Sequence, residues 1–284
     1  IFTAILALNA AISPKARAET LQTSFGISLA ELPYSQNYFS EVEGNKLKII
    51  RFFIADTNSQ AQSEGIYKIL ENFGNSGVKA TLTLVSSTTA YSPLGHPLPA
   101  SGTSTLNLGK LLTYIKEADK ALKTNAFANI NAIEILNEWN INYTAENYLT
   151  EYFEPVCKFL HANFPGPKVY TGGVTSPQDL PYLDQHTNCA DALGYHDYVG
   201  LPETANFLVK LPLALTEWGY FNRFQPTSPI PPTQLFLNTT VEAIGKYRSL
   251  SGHAITEADY SPFIGDYYPY HDIALAIMNF LNLK

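Results

Sequence analysis

Short apolar runs and longer stretches of helical period alternate along this chain. Thr23–Leu29, Leu47–Ile54, Val78–Val85, Ala132–Glu138, Lys168–Gly172, Ala192–Tyr198, Leu213–Trp218 and His253–Asp259 have the length and apolar character of parallel strands buried on both faces. Between them, Ile66, Ile69, Leu70 and Phe73 form one helical face ahead of Gly74, a predicted C-terminal stop. Leu108, Leu111, Leu112, Ile115 and Leu122 predict a second helix. Tyr148, Leu149, Tyr152, Phe153, Val156 and Leu160 predict a third, with Thr144 as its N-cap. Ile273–Leu281 predicts a closing helix.

Eight strand–helix units in residues 19–284 predict a single α/β domain, a closed (β/α)8 TIM barrel. An open doubly wound sheet would normally carry a Gly-rich phosphate turn after its first strand, and Phe25-Gly26-Ile27-Ser28 is no such turn. Ser86–Thr105 and Asn222–Thr233 are read as long loops on the face where the strands end, placed to wall a cleft. Ahead of the barrel, the apolar stretch Ile1–Ile12 and the small-x-small triplet Ala16-Arg17-Ala18 read as a signal peptide over residues 1–18, its charged n-region missing. The stretch is short for a membrane span. The expectation is a secreted or periplasmic protein, free of the membrane after processing.

Composition narrows the partners. The net charge is −7 and no Lys/Arg block occurs, which argues against nucleic acid or an anionic membrane surface. A charged fraction of 15% with 18 tyrosines is common in extracellular proteins that handle sugars. Cys157 and Cys189 permit one disulfide in an oxidising compartment, or stand as two separate buried thiols. No histidine lies at ligand spacing from either, so neither metal nor cofactor is expected. A monomer is expected.

The two tryptophans carry the candidate chemistry. Each follows a glutamate at the end of an apolar run, in Ile133-Glu134-Ile135-Leu136-Asn137-Glu138-Trp139 and Leu213-Ala214-Leu215-Thr216-Glu217-Trp218. Carboxylates at the ends of barrel strands lie on the active-site face. Two of them beside rings that can stack on sugars suggest acid/base and nucleophilic work on a glycosidic bond.

In these residues the sequence resembles clan A of the retaining glycoside hydrolases, which includes families 5 and 39. Those enzymes place Asn-Glu at the end of the fourth strand and a second glutamate at the end of the seventh. Here Asn137-Glu138 ends the fourth predicted strand and Glu217 the seventh. Arg51, on the second strand, matches the arginine beneath the nucleophile, and His196-Asp197-Tyr198 matches a His-x-Tyr pair beside it. The resemblance implies Glu138 as acid/base and Glu217 as nucleophile. It further implies that Arg51 and the Tyr198 hydroxyl support Glu217, that Asn137 donates to a sugar 2-hydroxyl, and that His196 lines the subsite or orients the acid. Trp139, Trp218 and Tyr260 complete the substrate-binding set. The pattern departs from family 5 at Trp139, where that family has proline, and at Tyr260, where a platform tryptophan is usual.

Bland readings exist beside these. Arg51 could merely pair with a barrel-floor carboxylate such as Glu134, and a lone histidine on an apolar strand is more often a core residue. Glu257 and Asp259 share one strand face, and Asp266, Tyr267, Tyr268 and Tyr270 follow in an aromatic loop. The leading expectation is a retaining hydrolase of polysaccharide or oligosaccharide. The alternative is a non-catalytic carbohydrate-binding barrel derived from one.

Overall fold

The computed structural model describes residues 24–29, 48–56, 59–85, 98–199, 209–220 and 256–260. Eight parallel strands occupy the predicted positions: β1 (Ser24–Leu29), β2 (Ile49–Ala55), β3 (Lys79–Val85), β4 (Ile130–Asn137), β5 (Lys168–Gly173), β6 (Leu193–Val199), β7 (Leu213–Tyr220) and β8 (Glu257–Tyr260). Their order is β5-β4-β3-β2-β1-β8-β7-β6. The two outer strands of that order meet. Val174 N donates to Gly194 O at 3.3 Å, and His196 N donates to Val174 O at 2.9 Å. The fold is a (β/α)8 barrel.

Period-two alternation divides each strand between two environments. Ile50, Phe52 and Ile54 on β2, Leu82 and Leu84 on β3, and Ile133 and Ile135 on β4 are buried against the helical layer. Each contributes about 1.5–3 kcal/mol relative to exposure. The opposite parity fills the barrel with Arg51, Thr81, Thr83 and Glu134, beside a small apolar plug of Ala132, Tyr170, Ala192 and Ala214.

Helix α1 (Gln60–Asn75) buries Ile66, Ile69, Leu70 and Phe73 as predicted. Its N-cap is Ser59, whose hydroxyl accepts from Gln62 N at 3.2 Å. Gly74 does not stop it. The turn comes at Gly77, whose φ of +74° suits a residue without Cβ. Helix α2 (Ser101–Leu122) begins inside the segment read as a long loop and ends with Leu122 exposed, so its buried face stops at Ile115. The third helical segment starts at the predicted cap, where Thr144 Oγ1 accepts from Asn147 N. It passes through a π-helical turn, Tyr148–Phe153, into α3 (Glu154–Asn163). That wider turn explains the four-residue spacing of Tyr148, Tyr152, Val156 and Leu160, all buried. Helix α4 (Leu180–His186) follows β5.

Cys157 on α3 and Cys189 ahead of β6 form a disulfide with Cα atoms 6.1 Å apart. No helix among the described residues is long and apolar enough to cross a membrane. The leader at 1–18, the loop at 222–233, the aromatic loop after Tyr260 and the closing helix at 273–281 lie outside the described residues.

Candidate active site

Arg51 is fully buried, and every edge of its guanidinium is engaged. Nε donates to Glu134 Oε2 at 2.7 Å, and Nη2 lies 2.6 Å from the same oxygen. Nη1 donates to Ser28 Oγ at 2.6 Å and to Glu217 Oε1 at 2.7 Å. Nη2 also donates to Asn137 Oδ1 at 2.8 Å. Burial alone would push the guanidinium toward losing its proton, but Glu134 and Glu217 outweigh that and hold it more firmly charged than usual. A charge so deep in a barrel costs several kcal/mol unless paired and hydrogen-bonded, and this one is both. Arg51 therefore does what the bland reading allowed, pairing with Glu134, and at the same time holds Glu217.

Glu138 sits where β4 ends. Leu136 and Glu138 both take left-handed backbone conformations, with φ of 69° and 46°, on either side of Asn137. Such angles are uncommon outside glycine and recur at functional sites. Here they turn the chain so that the Glu138 carboxylate meets His196 Nδ1 at 3.1 Å. His196 is buried, and its Nδ1 lies 3.9 Å from Glu217 Oε2. Burial lowers the affinity of its ring for a proton, but the Glu217 and Glu138 carboxylates reverse this, and the net direction is upward. His196 thus lies against both carboxylates, nearer to Glu138. One oxygen each from Glu138 and Glu217 and a ring nitrogen of His196 lie within 4.8 Å of one another.

Asn137 Oδ1 accepts from Arg51, which assigns the other amide position to the nitrogen donor. Trp139 is corrected. Its ring is 1% exposed, stacks on Tyr148 at 4.2 Å, and donates from Nε1 to Gly172 O at 3.0 Å. A ring sealed into the helical layer cannot stack on a sugar. Tyr198, Trp218 and Tyr260 lie on β6, β7 and β8, but their side chains are outside the described residues.

Several supports escaped sequence reading. Glu134 Oε2 accepts from Thr83 Oγ1 at 2.6 Å, and its Oε1 accepts from Gly173 N at 2.8 Å. Gly173 can carry no side chain, because a Cβ there would run into the His196 ring. Tyr148 Oη donates to Ile135 O and accepts from Gly172 N, bracing the ends of β4 and β5. The only available sequence signals were inward parity for Thr83 and Glu134 and a paired glycine at a strand end.

Among the described residues, two donor clusters are compact enough to consider for a metal. In one, Glu217 already takes the Arg51 cation and His196 already meets Glu138. In the other, His161 does stand at ligand spacing from Cys157, four residues on, contrary to the sequence expectation, but the sulfurs of Cys157 and Cys189 are both in the disulfide.

No protein-family model and no curated protein matches the sequence. Solved structures of similar fold are glycoside hydrolases. An exo-beta-1,4-mannosidase from Opitutaceae bacterium strain TAV5 superposes with a TM-score of 0.57 at 12% identity, over 92% of this chain and 59% of its own. This chain thus spans less than two thirds of that protein. A beta-glycosidase aligns with a TM-score of 0.57 at 10% identity, over 93% and 97% of the two chains. A broad specificity endoglucanase from an uncultured bacterium gives 0.53 at 10% identity, over 93% and 94%. The chain has the fold of the clan A barrels its strand-end motifs resemble.

Proposed function

We propose that the protein is a secreted retaining glycoside hydrolase acting on β-linked polysaccharide or oligosaccharide of the mannan or glucan class. The observation that carries this reading is the approach of Glu138 and Glu217, within 4.8 Å at the ends of β4 and β7. So close an approach supports double displacement over inversion, in which the two carboxyl groups stand about 6.5–9.5 Å apart to admit a water. The substrate class follows the named activities of the structural neighbours. The disulfide supports an oxidising compartment.

In the first step Glu217 attacks the anomeric carbon while Glu138 gives its proton to the departing glycosidic oxygen. Arg51 holds Glu217 Oε1, and Oε2 is the oxygen on the His196 side, 3.9 Å from Nδ1. In the second step Glu138, now a carboxylate, takes a proton from water as that water displaces Glu217. A non-catalytic sugar-binding barrel is disfavoured, since binding alone gives no reason to keep both carboxylates on a buried arginine and histidine.

Azide rescue tests the roles. Glu217→Ala should lose turnover even of substrates with very good leaving groups, and azide should then yield an inverted glycosyl azide. Glu138→Ala should spare good leaving groups and yield a retained azide. Swapped products would reverse the roles, and full activity in either variant would remove that residue from the mechanism.

A further inference from the structure

Glu134 touches neither the cleft nor a reacting atom, yet both arms of the site rest on it. Through Oε2 it holds Arg51, whose far edge holds Glu217. Through Oε1 it holds Gly173 N, and Gly173 O in turn accepts from Glu138 N at 2.9 Å. The same Gly173 is the surface against which the His196 ring packs, and His196 meets Glu138. Thr83 anchors the carboxylate from β3, and Glu134 is fully buried. We propose that Glu134 is a positioning residue for both carboxylates, setting the nucleophile through Arg51 and the acid through Gly173 and His196. The inference rests on the glycosidase reading above.

Two consequences separate this role from ordinary packing. Glu134 competes with Glu217 for one guanidinium, so removing its charge gives Glu217 more of the cation. The carboxylate form of Glu217 is then favoured, and the acid limb of kcat/KM moves to lower pH. Glu134 also steers the acid, so its loss should hurt a poor leaving group more than a good one.

The test compares wild type, Glu134→Gln, Glu134→Asp and Glu217→Ala on 4-nitrophenyl and phenyl β-mannotriosides or β-cellotriosides. Glu134→Gln should lower kcat/KM about a hundredfold on the 4-nitrophenyl substrate, the scale of a 1 Å misplacement, and further on the phenyl one. Its acid limb should move down. Glu134→Asp keeps the charge and shortens the reach, so rate should fall with the limb in place. A Glu134→Gln enzyme within threefold of wild type, an unmoved limb, or equal losses on both substrates would overturn the proposal. Should that variant not fold, Thr83→Val takes its place. Losing that donor leaves Glu134 leaning harder on Arg51, so about a tenfold loss with the limb moved up is expected, and unchanged kinetics overturn the idea. An inactive wild type or an active Glu217→Ala would sink the glycosidase reading itself, an outcome visible without any Glu134 variant.

Discussion

Inside the barrel Glu134 and Glu217 bracket Arg51, whereas on β8 Glu257 and Asp259 share one strand face with no cation of their own among the described residues. All four carboxylates are buried. Glu257 Oε2 accepts from Asn131 Nδ2 at 2.6 Å and from Tyr170 Oη at 3.4 Å, while Asp259 meets no donor among the described groups. Burial first, then the charge of Glu257 and a hydrogen bond to it, push Asp259 well above the usual carboxylate range; Arg51 pulls the other way, and Glu134 adds the smallest push. In the lower pair, burial and the neighbouring carboxylate favour the protonated form of Asp259. The upper pair shares a guanidinium. A proton can be lost with pH and an arginine cation cannot, so the carboxylate proposed as the nucleophile is the one given the arginine.

The sharpest way to break this contrast is Arg51→Met, which turns Glu134 and Glu217 into a second pair without a cation. Two buried carboxylates left unpaired should cost about 3–5 kcal/mol in urea unfolding at pH 7, with the deficit shrinking as pH falls and they take up protons. A loss below about 1 kcal/mol would mean that the cation does not govern this cluster. His196→Asn attacks the acid arm alone. Loss of kcat/KM on poor leaving groups should be about ten- to a hundredfold, with little change on good ones. An equal loss on both would deny His196 its role beside Glu138.

Asp259→Asn sharpens the contrast from the other end. The folded pKa of Asp259 lies above its unfolded value of about 3.9, so its stabilisation is complete below that pH and is lost as pH rises through the folded value. The asparagine variant does not titrate and can still donate to Glu257. Its unfolding free energy should gain on wild type as pH rises, by on the order of 1–2 kcal/mol between pH 5 and pH 8. A constant offset would show that Asp259 is not the protonated partner. Tyr170→Phe should have the smallest effect, under about 1 kcal/mol, because its 3.4 Å bond to Glu257 is near the limit of a hydrogen bond.

Sequence reading located what periodicity encodes. Eight strands, three helical faces and the inward parity of Arg51, Glu134 and Asp259 all follow from residue spacing. Trp139 was misplaced because backbone sign is invisible in such a pattern. The left-handed turn at Glu138 swings the next residue into the helical layer, where Tyr148 receives it. Gly74 looked like a helix stop because glycine alone does not say which of two nearby glycines takes positive φ. Arg51 was read as serving either Glu134 or the nucleophile, and the two proved compatible because a guanidinium has two edges. Gly173 went unnoticed because its importance lies in a ring from β6, 23 positions along the chain.

The seam between β5 and β6 carries a consequence for how the barrel breathes. Amide donors that would extend a regular ladder are diverted there, Gly173 N to Glu134 and Gly194 N to Thr171 Oγ1 at 3.0 Å. Fewer interstrand bonds mean that local opening there should need less free energy than global unfolding. In heavy water, the amides of Val174 and His196 should exchange before those in the middle of β3. The Cys157–Cys189 link ties α3 to the segment entering β6 and caps the amplitude of that opening. A mild reductant should therefore quicken deuterium uptake at the seam before it alters the melting curve, making exchange at His196 an early clock for the loss of the site.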